Sequence, residues 1–78
     1  MKSMTCRQLG GACDLVFKAD TFEEMADLSK AHGMAMYQKQ DEAHLQAMQE
    51  MQDLMQQPEA MQSWFEAKRQ EFEALPDL

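Results

Sequence analysis

The sequence predicts an α+β fold: an N-terminal two-stranded β-hairpin packed on about three α-helices, in one small domain covering residues 1–78. Three observations point to it. Over residues 3–18 apolar side chains alternate with a period of two, either side of a Gly-Gly pair. From residue 21 the apolar spacing changes to i, i+3, i+4, the signature of an amphipathic helix. Two breaks, "QKQD" and Pro58, then divide that helical stretch into three. No internal repeat and no long linker splits the chain.

The hairpin is expected over 3–18. Met4 and Cys6 alternate before the turn, and Cys13, Leu15 and Phe17 alternate after it. "LGGA" between them offers the positive-φ positions that a tight connection requires. This alternation puts Cys6 and Cys13 on one face with Leu15 and Phe17. Two strands alone are marginal, so the face must pack on something.

The first helix is expected over 21–37. Thr21 stands as N-cap with Glu24 three residues on, a capping box. Phe22, Met25, Ser29, His32 and Met36 form its stripe, widened by Ala26 and Leu28. Gly33 weakens a helix by about 1 kcal/mol relative to Ala, but "MAMYQK" keeps the apolar phase to Tyr37. The second helix is expected over 41–56, capped by Asp41, with His44, Ala47, Met48, Met51, Leu54 and Met55 on one face. Pro58 opens the third, 58–74, as the first helical residue, where its missing N–H costs nothing. Met61, Trp64, Phe65, Lys68, Phe72 and Leu75 follow at helical spacing, and Pro76 closes the helical part.

Charge narrows the function classes. The net charge is −7, and residues 41–78 hold nine acidic against two basic side chains, whereas residues 1–40 balance. An acidic surface repels phosphate backbones and lacks the clustered Lys and Arg that counterion release needs. Nucleic acid and anionic membrane are therefore not expected partners. "MKSMTCRQLG" lacks the apolar core of a signal peptide, and no apolar run approaches the roughly 20 residues of a membrane span. A cytoplasmic location is expected, where thiols stay reduced and two nearby cysteines more often bind metal or do redox work than form a bridge.

Four residues are good soft or borderline metal ligands: Cys6, Cys13, His32 and His44. All four fall on positions expected to face the core. Structural zinc takes four Cys or His ligands in tetrahedral geometry. The order C-x6-C, x18-H, x11-H is looser than the common C-x2–4-C and H-x3–5-H spacing. Buried cysteines acting as small hydrophobes, and histidines satisfied at a core boundary, are the competing reading.

The stretch "MTCRQLGGACDLVFKADTFEEMADLSKAHGM" resembles a bacterial and archaeal family of small uncharacterised proteins known as predicted small metal-binding proteins. Cys6, Arg7, Leu9, Gly10, Cys13, Thr21, Glu24 and His32 match its pattern position by position, over residues 4 to about 37. The resemblance implies a metal at Cys6, Cys13 and His32. Many members carry a second His four or five residues after the first, where this chain has Met36 and Tyr37. His44, an acidic residue, a water or no ligand is then left for the fourth place.

The expected function is a small non-catalytic metal-binding protein, with zinc as the cofactor. The alternative is a metal-free helical interaction or assembly module with buried cysteines, a homodimer through helices two and three. Nine methionines offer an adaptable apolar surface for that role. Cu(I) is a variant of the first reading, with Met4 or Met34 beside the cysteines, but no Met-x-x-Met cluster stands next to them. Enzymatic readings find little: neither cysteine lies in C-x-x-C, and no His-Glu-x-x-His or phosphate loop is present. Glu50, Asp53, Glu66 and Glu71 read as solvated helix faces.

Overall fold

The structure, a computed structural model, describes all of residues 1–78. Strand β1 (Lys2–Thr5) leads into a 3-10 turn (Arg7–Leu9), then strand β2 (Val16–Ala19) and helices α1 (Phe22–Lys39), α2 (Glu42–Met55) and α3 (Pro58–Ala74). This is the α+β arrangement the sequence predicts.

The strands pair antiparallel, with Met4 opposite Phe17 and Lys2 opposite Ala19. Alternation sends Met4, Phe17 and Ala19 into the core while Val16 and Lys18 stay exposed. Lys2 reaches from β1 to α3. Its ammonium sits 5.2 Å from the Phe72 ring centre and donates to the Glu73 carbonyl.

One expectation is corrected here. Cys6 and Cys13 are not strand residues, and Leu15 does not share a buried face with Phe17: it is 48% exposed. The period-two reading fails because residues 6–15 form an ordered connection. Its backbone is consumed by Cys6 N–H to Leu15 O, Arg7 N–H to Cys13 O and Gly11 N–H to Cys6 O. Of the two glycines, only Gly10 takes a positive φ, 93°.

The helices start where expected. The Thr21 hydroxyl accepts the Glu24 N–H at 3.1 Å, and Glu23 and Glu24 complement the helix N-terminus. Helix α1 runs through Gly33 and two residues past Tyr37, to Lys39. There Gln40 turns left-handed (φ 58°) and sends the chain back along α1. Leu28, expected on the buried stripe, is 41% exposed, because the face toward the sheet is set by Phe22, Met25 and His32. Met55 is likewise outside the α2 stripe, at 57% exposed, in the last turn of its helix.

The core is Met4, Leu9, Phe17, Ala19, Phe22, Met25 and Phe72, joined by Cys6. Phe22 sits at its centre, 5.9 Å from Phe72 and edge-to-face with Phe65 at 5.2 Å. Arg69 crosses above it, its guanidinium 5.4 Å from the Phe22 ring and ion-paired to Glu23. Only nine residues of the chain are buried, so the apolar core alone supplies little margin for a domain of this size. No helix is long and apolar enough to cross a membrane.

Candidate metal centre

Each of the four candidate ligands is delivered by a different piece of local structure. Cys6 directly follows β1 and precedes the 3-10 turn, and it is buried. Its sulfur is cradled by the loop that follows. The backbone N–H groups of Cys13 and Ala12 are directed at it, and Gly11 packs so closely that a Cβ there would fall on the sulfur. Gly11 is thus fixed by close approach rather than by dihedral freedom. Cys13 lies at the other end of the loop, half-buried, with the Leu15 N–H on its sulfur. Amide-to-sulfur bonds of this kind stabilise thiolate over thiol.

His32 projects from the middle of α1, one face against the edge of Phe17 at 5.7 Å, and brings its Nε2 to 3.3 Å from Cys13 Sγ. His44 is the third residue of α2. Asp41, the N-cap, accepts the His44 backbone N–H at 3.0 Å, and the same carboxylate oxygen lies 2.6 Å from His44 Nδ1. That contact places the ring proton on Nδ1 and turns Nε2 inward, 3.6 Å from Cys6 Sγ. His44 is the one buried polar side chain of the fold.

The four ligand atoms all lie within 4.8 Å of one another. A tetrahedral zinc with bonds of about 2.3 Å to sulfur and about 2.0–2.1 Å to nitrogen requires sulfur–nitrogen separations of about 3.6 Å. The Cys6–His44 separation, 3.6 Å, equals that edge and the Cys13–His32 separation, 3.3 Å, is slightly shorter, while the set as a whole spans up to 4.8 Å. The imidazoles meet edge-to-face, centroids 5.3 Å apart at 81°, rather than stacking. Both cysteines are free thiols.

Electrostatics divide the cluster. Burial pushes the Cys6 thiol above its ordinary range, against the two backbone N–H groups that pull it down. Cys13 is lowered, first by the Leu15 N–H and then by the His44 ring and Cys6. Asp41 holds His44 above the usual histidine range despite burial, and the His44 ring in turn lowers Asp41.

The structure therefore brings together all four residues named from sequence, with His44 at the fourth place. Arg7 points away, ion-paired to Asp14 across the loop at 3.1 Å. Glu50, Asp53, Glu66 and Glu71 are exposed, as expected. Two contributors went unrecognised: Asp41 counts as a cap but also orients His44, and "LGG" reads as a turn while Gly11 seats the sulfur. The Asp-x-x-His spacing at a helix start was the available signal for the first. The arrangement suits a metal ion held by two sulfurs and two nitrogens, with a carboxylate behind one imidazole. No protein-family model, curated protein or solved structure matches this chain.

Proposed function

We propose that the chain is a small non-catalytic metal-binding protein whose Cys6, Cys13, His32 and His44 hold one Zn2+ ion. The observation that carries this reading is the convergence of the four donor atoms within 4.8 Å. Two thiolates and two imidazoles in tetrahedral array are a common structural zinc donor set. Four protein ligands leave no coordination position for substrate, which argues for a structural rather than catalytic ion. The thin core gives the ion a task, since ligand binding free energy becomes folding free energy. The likeness of residues 4–37 to the small metal-binding family supports the same reading. Substitution with Co2+ tests it: the expected result is the intense visible spectrum of tetrahedral cobalt with thiolate charge-transfer bands. A weak octahedral spectrum would sink the proposal.

A second reading concerns assembly. Accessible surface is 5426 Å² for 9.0 kDa, against about 4,900 Å² expected of a folded monomer of that mass. Met55, Met61 and Phe65 border an open groove of about 470 Å³ between the end of α2 and α3. We propose that two copies pack through these helices. Light scattering across a concentration series is expected to show a dimer, and Phe65→Glu a monomer; a wild-type monomer at every concentration removes the proposal.

A further inference from the structure

A cleft of about 630 Å³ lies between α1 and α2 and ends on the candidate metal centre. Its volume is within the roughly 300–1,000 Å³ range that holds small organic ligands. The walls are Met34, Tyr37, Ala47, Met48 and Met51, and Cys6 and His44 form the inner end. Methionine walls are soft and adapt to a flexible apolar occupant. Gly33 also lines the cleft, so α1 presents bare backbone where a larger residue would fill the space.

The polar groups along this cleft are one-sided. The chain has fourteen acidic side chains, yet none lines it. Lys30 does, at the exposed edge, and it makes no ion pair. Ser29 precedes it on α1 and Gln38 lines the cleft about two turns further along the helix; neither side chain is engaged in a hydrogen bond within the protein. An ammonium with an uncommitted hydroxyl next to it, at the edge of an apolar cleft, complements an anionic head on a hydrocarbon tail. A cationic head would meet the Lys30 ammonium with no carboxylate in the lining to offset it.

We propose that this cleft binds an aliphatic carboxylate, its tail along Met48 and Met51 and its carboxylate on Lys30. The inference goes beyond the zinc reading and does not depend on which metal is held. It uses Cys6 and His44 as a wall, however, so metal content is measured on every sample.

The test is a titration of the metal-loaded full chain with decanoate below its micellar concentration, followed by calorimetry and by Trp64 fluorescence. Trp64 is the sole tryptophan, and its indole lies against Gly10 at the inner end of the cleft. Decanoate is expected to bind once per chain, and decylamine to bind at least about tenfold more weakly. In Gly33→Leu the added side chain enters the cleft, its Cβ in ordinary contact with Met48 at 3.7 Å. This variant is expected to lose decanoate by about tenfold or more, with metal content unchanged. Lys30→Met is expected to weaken decanoate by about threefold and leave decanol unaffected. The proposal is overturned if metal-loaded protein shows no saturable decanoate binding, if decylamine binds as well, or if Gly33→Leu binds like the wild type. Dimerisation abolished by Gly33→Leu overturns it as well, since a second copy is then the occupant.

Discussion

Asp41 is the residue through which zinc affinity is most sharply predicted. One of its carboxylate oxygens accepts the His44 backbone N–H at 3.0 Å and faces His44 Nδ1 at 2.6 Å. The first contact caps α2; the second fixes the tautomer and raises the basicity of the ligating nitrogen. Asp41→Ser separates them, because serine caps a helix about as well as aspartate but cannot charge-assist the ring. Outer-shell partners of this kind are worth about 10–100-fold in metal affinity. His44 is also held by burial and by the edge of His32 at 5.3 Å, so orientation survives in part. The loss is therefore expected in the lower half of that range, about 10–30-fold. Competition against a chromophoric zinc chelator at fixed pH measures it, with circular dichroism recording helix content. Zinc affinity within about twofold of wild type, in a variant whose helix content is intact, would refute the role of the Asp41–His44 contact.

Other consequences follow from the same geometry. Gly11→Ala places a methyl group on the Cys6 sulfur, so zinc content is expected to fall as far as in Cys6→Ser while helix content persists. Met25→Ala removes a fully buried side chain at the centre of the core and is expected to cost about 2–5 kcal/mol by urea unfolding. Chelation of the metal is expected to lower the melting temperature and loosen residues 6–15, read by hydrogen exchange, because the loop's two sulfurs then lose the ion that ties them to α1 and α2. Zinc affinity is expected to rise with pH between 6 and 8, by about tenfold per unit for each thiol that still carries its proton, Cys6 foremost because burial raises it. The metal-free protein responds in the opposite sense as His44 loses its proton. His44 is raised, so its contribution to stability is complete below its ordinary pKa of 6.5 and is lost as pH rises through the folded value. Asp41 is lowered, so its contribution is complete above its ordinary 3.8 and is lost as pH falls through the folded value. Chemical denaturation of the apo-protein is therefore expected to show this pair's support greatest between those limits.

Much of this was legible in sequence because the signals are local. The capping box at Thr21, the Asp41 cap and Pro58 place all three helix starts, and each is a matter of a few neighbouring residues. The four ligands were legible for a different reason: only four residues of the chain have the right donor chemistry, and a core this small leaves little room to separate them. The loop between the cysteines was not. Its apolar alternation imitates a strand, while the real constraint is hydrogen bonding between Cys6, Arg7, Gly11, Cys13 and Leu15, which period-two counting does not see. The exposure of Leu28 and Met55 is a tertiary outcome as well. A helical stripe gives the direction of the apolar face but not its width, and here the narrow sheet and the short α2 leave its edges uncovered. The Met-walled cleft arises from the spacing of α1 and α2, which no single helix encodes.

The central claim is that Cys6, Cys13, His32 and His44 act as one metal site. Native mass spectrometry of untagged protein purified without chelator, with elemental analysis alongside, tests it most directly. The account predicts one zinc per chain, lost in Cys6→Ser, His32→Ala and His44→Ala alike. A folded chain that carries no metal, takes up none when zinc is supplied, and retains its melting temperature with both thiols free would contradict it.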